Sequence, residues 1–242
     1  MSRIGTTDYL IEVADGNIDG ARIEGFQMQG EIDGTRGDIW GGTGDYAFPT
    51  TAQTLEILSS SANDAAGGTG MRTVDFVSLD ANKLLQITRV TLNGTTPVIL
   101  SGTHLRKHLL VGVDSGSIGR NDGDITLRIS VAGATWNVIK AGKGVSHDGH
   151  FTIPSNEKGQ FLNLFLLVPK NSEMIGHTDI RDGSNANPTW LSSADVFIYQ
   201  SLVNFEVLAK LTLVPESDVA IKAEGTSTFQ TTWIFEMLYL ET

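Results

Sequence analysis

Alternation of apolar and polar residues with a period of two is the feature that most narrows what this 242-residue chain can become. Ile125, Leu127, Ile129 and Val131 alternate with Asp124, Thr126, Arg128 and Ser130, the pattern of a strand with one dry and one wet face. The same pattern runs through 205–213 and 219–223, and through Phe229, Trp233, Phe235, Met237 and Tyr239 near the C-terminal end. Shorter strands are expected at 55–58, 73–79, 84–92, 98–100, 105–113, 136–139, 160–168 and 196–203. Turn-forming pairs such as Asn93-Gly94, Asp148-Gly149 and Asp182-Gly183 fall between them. No window of a dozen residues keeps a helical period, and the best competitor, 105–113, carries Val and Gly that favour strand. The expected fold is all-β, a β-sandwich or jelly-roll-like body.

Residues 1–50 read differently. Gly and Asp pairs (Asp15-Gly16, Asp19-Gly20, Asp33-Gly34) separate scattered apolar residues, enough for turns and short strands but little core. The expectation is an extended N-terminal arm or short hairpins over 1–50, followed by the β body over 51–242. Phe26, Trp40, Tyr46 and Phe48 in that arm are candidate interface residues. Segment 161–168 is apolar on both faces, with Phe161 and Phe165 on one of them. Such a strand is central between layers or covered by another subunit, which makes Phe161 and Phe165 interface candidates too. Of the four tryptophans, Trp136 and Trp233 fall in strand patterns and read as core. Trp40 and Trp190 fall in loop-like sequence and suit a surface or interface role.

Charge and composition remove several function classes. There are 28 acidic against 17 basic residues, for a net charge of −11, so no basic stripe exists to displace counterions from a nucleic acid. The densest basic cluster, Arg106-Lys107-His108, is too small for that purpose. With 0 Cys, disulfide scaffolds, thiolate nucleophiles and Cys-ligated metals are excluded. The N-terminus lacks an apolar signal region, and no apolar run approaches the length of a membrane-spanning helix. Neither nucleic acid nor membrane is an expected partner.

Motifs for chemistry are weak. His147-Asp148-Gly149-His150 offers two imidazoles but no marked third ligand, and a polar hairpin is the simpler reading. His104 and His108 are spaced for a helix in a chain that reads as strand. Asp179, Asp182, Asn185 and Asn187 present oxygen ligands in a Gly-Ser-Asn loop, without the calcium-loop spacing; Asn121-Asp122-Gly123-Asp124 is similar. Gly41-Gly42-Thr43-Gly44-Asp45 has no following Lys-Ser/Thr to cradle phosphate. No Gly-x-Ser-x-Gly elbow occurs. The expectation is no catalytic residue, no cofactor and no metal.

The block Gly37-Asp38-Ile39-Trp40-Gly41-Gly42-Thr43-Gly44-Asp45-Tyr46-Ala47-Phe48-Pro49, followed by Gln53-Thr54-Leu55-Glu56-Ile57, carries a resemblance. With it go Ser59-Ser60-Ser61-Ala62-Asn63-Asp64, Gly68-Thr69-Gly70-Met71-Arg72-Thr73-Val74, Leu79-Asp80-Ala81-Asn82 and Val90-Thr91-Leu92-Asn93-Gly94-Thr95-Thr96-Pro97-Val98. Downstream come Gly123-Asp124-Ile125-Thr126 and Phe151-Thr152-Ile153-Pro154. Together, over about 37–170, they resemble a recurring module of virion structural proteins of tailed, especially marine, bacteriophages. The resemblance implies a particle component: a capsid decoration (cement) protein, or a head–tail or tail component. A non-enzymatic subunit is expected, in a symmetric homo-oligomer (a trimer is one arrangement) against the major capsid protein or other virion proteins. A tail or adsorption protein that binds host glycans is the competing expectation.

Overall fold

The computed structural model describes residues 6–169, 172–184, 189–199, 202–206 and 212–242, with backbone alone at 6–8, 164–166, 192–199 and 202–206. Within them run α1 (Thr6–Ala14), β1 (Ala21–Ile32), β2 (Gly37–Asp38), β3 (Leu55–Ser59), β4 (Met71–Leu79), β5 (Leu85–Thr91), β6 (Val98–Ile99), β7 (Arg106–Ser115), β8 (Ile125–Ile129) and β9 (Thr135–Ile139). Then follow β10 (His150–Thr152), β11 (Glu157–Leu167), β12 (Glu173–Asp182), β13 (Leu191–Tyr199), β14 (Leu202–Glu206), β15 (Thr212–Leu213), β16 (Ser217–Gly225) and β17 (Phe229–Glu241). The all-β expectation holds. Its strands form small antiparallel sheets, ordered β1-β17-β11-β14, β10-β16-β12-β13, β6-β3-β8-β9 and β5-β4-β7.

Two separate apolar cores divide the chain. Phe26, Met28, Phe151, Phe161, Val219, Trp233, Phe235 and Met237 fill one, between the sheets containing β17 and β16. Leu55, Ile57, Val74, Phe76, Leu110, Leu127 and Trp136 fill the other, between the sheets containing β3 and β4. Strands β3–β9 are therefore an insert, and β1, β2 and β10–β17 form an outer unit interrupted by it. The expected boundary between residues 50 and 51 does not match this division. β1 lies antiparallel along the whole of β17, from Ala21↔Leu240 to Ile32↔Phe229, and sends Phe26, Met28 and Ile32 into the outer core. Twelve residues of the expected arm are thus a strand of a sheet. The apolar residues there are spaced by two despite Gly25 and Gly30, so burial overrides the turn-like composition.

Other expectations change in detail. α1 is a helix of 9 residues, too short to stand out as a dozen-residue period, and Val13 anchors it with 3% exposure. Asp179 and Asp182 sit at the end of a strand, β12, and not in a loop. Gly176 within β12 hides the strand pattern because a Cβ there would lie 2.1 Å from the Trp233 indole, whose bulk occupies that place in the core. Trp136 and Trp233, 2% and 1% exposed, are core residues as expected.

Candidate functional site

The insert meets the outer unit across charged groups. The first three residues of β7, Arg106, Lys107 and His108, are 5%, 2% and 4% exposed. A register shift against β4 leaves His108 as the extra residue of a bulge, which re-aims consecutive side chains out of strict alternation. Each of the three finds an acid contributed from outside the insert's sheets. The Arg106 guanidinium donates to both oxygens of Asp218 on β16 (2.8 and 3.2 Å), and also to the Pro49 carbonyl. His108 Nε2 lies 2.7 Å from Glu24 on β1. The Lys107 ammonium donates to Asp148 Oδ2.

Backbone pairing puts Asp148 there. Residues 144–146 run antiparallel to β7, with Gly112 N donating to Gly144 O and Ser146 N to Leu110 O, so the chain passes Lys107 before entering β10. Asp148 Oδ1 accepts from His150 Nδ1 at 2.7 Å and from the His150 backbone N–H at 3.0 Å. His150 Nε2 lies 3.0 Å from Asp38 Oδ2, an ionic contact without hydrogen-bond alignment, and Lys222 reaches the other Asp38 oxygen at 2.9 Å. Asp218 is 0% exposed and takes further hydrogen bonds from Thr152 (2.6 Å) and Arg181 (2.9 Å).

Burial and neighbouring charge set the electrostatics. Burial lowers the Lys107 ammonium from 10.5 to about 8, against the opposing pull of Asp148. Burial would raise Asp148, but the charges of Lys107 and His150 bring it below the ordinary carboxylate value. Asp38 is lowered likewise: burial opposes, and the contacts with His150 and Lys222 and the hydrogen bond from the Tyr46 backbone N–H prevail. Glu24 falls to about 2, burial again opposing and the His108 and Arg22 contacts winning. Burial pushes the Tyr46 phenol well up, and its hydroxyl has no hydrogen-bond partner among the described residues.

Segment 39–54, between β2 and β3, lies over this seam as an aromatic clamp. Trp40 packs edge-on to Tyr46 (5.6 Å between ring centres), Tyr46 to Phe48 (5.0 Å), and Phe48 tilts against Trp190 (5.4 Å). The Lys107 ammonium sits 3.6 Å from the Tyr46 ring centre and 4.5 Å from that of Trp40. Arg181 lies 4.6 Å from the Trp190 ring centre. Gly42 is required here, since a Cβ would come 2.4 Å from the Trp40 ring. The turn at Gly44 (φ +68°) lets its carbonyl accept from the Trp40 indole at 2.7 Å.

The expected interface residues thus divide. Trp40, Tyr46, Phe48 and Trp190 come together, but as the clamp of their own chain, with Trp40 and Tyr46 each 8% exposed. Phe26 and Phe161, both 6% exposed, pack on Phe235 inside the outer core, the first stacked and the second tilted. The Phe165 side chain lies outside the described residues. His150, read as incidental to a hairpin, is buried between two carboxylates. His104 is buried beside Ser78 Oγ at 2.8 Å. Asp179 pairs with Arg36, and Asn185 and Asn187 lie outside the described residues. Among the described residues no cluster of three or more His, Asp or Glu is arranged for a metal, and no helix is long and apolar enough to cross a membrane. The sequence marks Arg106-Lys107-His108 only as a basic cluster too small to hold a nucleic acid, and assigns it no other role. Its signal is three basic residues set together at the start of a strand whose next residues are apolar.

Cavities open on both sides of the clamp. One of about 640 Å³ is bordered by Gln29, Arg36, Trp40, Lys143, His147 and Gln230. The other, about 530 Å³, is bordered by Thr43, Ala47, Phe48, Thr51 and Trp136.

No family model matches the chain, and no curated protein matches it. Among solved structures, it overlaps a chain of infectious bursal virus derived T=1 particles at a TM-score of 0.23 and 10% identity, over 91% of this chain and 70% of that one. A structure of the infectious bursal disease virus Gx strain overlaps at a TM-score of 0.22 and 9% identity, over 92% and 73%. These scores define no shared fold.

Proposed function

We propose that this chain is a non-enzymatic structural protein of a bacteriophage virion, a capsid decoration or cement subunit that stabilises the shell through inter-subunit contacts. The observation that carries the reading is the clamp. Residues 37–49, which bear the resemblance to phage virion proteins, are spent on closing the seam between the two units. The role they serve is architectural. Four small sheets around two cores suit a subunit that acts through its outer surface. The partners under this reading are further copies of the chain in a symmetric homo-oligomer and the major capsid protein, with the virion as its location. The copy number in purified particles tests this. A ratio to the major shell protein near one, or a simple fraction of it, is expected; absence from particles refutes the virion role.

The second reading, a tail or adsorption protein that binds host glycans, is favoured by the polar cavity beside Trp40, where Gln29, Gln230, Arg36 and Lys143 could receive hydroxyl groups. A trace copy number together with binding on a glycan array would select it, and a silent array at high protein concentration would remove it.

A further inference from the structure

We propose that Lys107 and Asp148 are joined by an intramolecular amide, formed by the protein itself between the Lys107 Nζ and Asp148 Cγ atoms. The two side chains are 1% and 4% exposed and in direct contact, with Asp148 Oδ2 as the oxygen that faces the amine. The Tyr46 and Trp40 rings enclose the amine and exclude water from it. Held pairs of this kind react as if at very high concentration, because the encounter has already been made. Burial also favours the neutral, nucleophilic amine over the ammonium.

The two carboxylate oxygens are differentiated in the way an acyl substitution needs. Oδ2 faces the amine. Oδ1 is held by two donors, the His150 ring N–H at 2.7 Å and the His150 backbone N–H at 3.0 Å. Those donors are placed to hold the negative charge that develops on the retained oxygen. In the step, a proton passes from the Lys107 ammonium to Asp148 Oδ2, giving amine and carboxylic acid. The Nζ lone pair then attacks Cγ, and an Nζ–Cγ bond forms. A second Nζ proton goes to the Oδ2 hydroxyl, the Cγ–Oδ2 bond breaks, and one water leaves. Two opposite charges vanish together, nothing is oxidised or reduced, and no co-reactant is consumed. The product ties β7 of the insert to the entry of β10 in the outer unit.

A competing dehydration exists, since Asp148 precedes Gly149 and an Asp-Gly pair can close to a succinimide with the same loss of water. That ring needs the Gly149 nitrogen, whose N–H is committed to the Ile39 carbonyl at 2.8 Å.

The test is the intact mass of the full, folded wild-type chain, measured after denaturation, with peptide mapping. Expected is a mass one water below that of the sequence, and a branched peptide joining the segments that hold Lys107 and Asp148, stable to hydroxylamine. Lys107→Met returns the full sequence mass if the amide is the cause and retains the loss if a succinimide is. His150→Gln, which removes the ring donor to Oδ1, should slow the appearance of the branched peptide after refolding while near-UV circular dichroism stays native. Wild-type protein with a native near-UV spectrum and the full sequence mass overturns the proposal. So does a water loss mapped to a linear, hydroxylamine-sensitive peptide. Both readings come from the wild-type chain and do not depend on whether a variant folds.

Discussion

The two cores and the seam between them bury their side chains equally well by opposite chemistry. Phe76 and Phe235 are 0% exposed among apolar neighbours, and what each needs is a shape. Asp218 is also 0% exposed, yet it needs Arg106, Arg181 and Thr152, contributed by three different strands. Burial of apolar surface drives each unit to close on itself. Burial of ions returns little net energy once desolvation is counted, but it tolerates only one arrangement of partners. The cores stabilise each unit, and the seam's contacts join one unit to the other.

The largest effect is expected at Asp218. Asp218→Ala leaves two guanidinium groups facing each other in a dry site and should cost about 3–5 kcal/mol, read by urea denaturation. Replacing Arg106, Arg181 and Asp218 together by Met, Met and Leu should recover most of that loss; failure to recover would show the ions to be net stabilising. Phe76→Ala and Phe235→Ala should each cost about 3–5 kcal/mol through the cavity left behind. Hydrogen exchange should then show protection falling first in the unit that carries the change. If both units lose protection together in every variant, the seam couples them into one cooperative block.

Smaller effects sharpen the same contrast. Gly42→Ala forces the Trp40 ring off Lys107 and should cost about 1–3 kcal/mol, with a shift in tryptophan emission. For Glu24, lowered from 4.5 to about 2 in the folded chain, the unfolded state binds the extra proton between those values. Its contribution is therefore complete above pH 4.5 and lost as the pH falls toward 2, so Glu24→Gln should flatten the acid limb of a stability curve. Smallest is the hairpin between β8 and β9, where Val131 (φ +64°) and Ala132 (φ +58°) hold left-handed backbone. Val131→Asn with Ala132→Gly should raise stability by about 1 kcal/mol, measured as an increase in Tm.

What was legible in the sequence follows from the range of the forces involved. β8 and β17 announce themselves because each alternates against a single core, and a one-dimensional pattern records that. β12 is masked where Gly176 yields its place to Trp233, a residue of another strand. The seam was illegible for the same reason on a larger scale. Whether Arg106, Lys107 and His108 are solvated or buried depends on Asp218, Asp148 and Glu24, which lie far away in the chain. The clamp was half legible: its aromatics stood out against a Gly-rich background, but the contact they make with the chain's own β7 left no mark in the local pattern.

The pairing of β1 with β17 sets a timetable for synthesis. A ribosome delivers residues 21–32 long before their hydrogen-bonding partner, residues 229–241. In the interval the insert is delivered whole and can close around its own core. Phe26, Met28 and Ile32 must meanwhile wait with their apolar face uncovered. The nascent chain is therefore most exposed to aggregation and to chaperones after the insert is complete and before β17 arrives, and β17 is the strand whose arrival ends that wait.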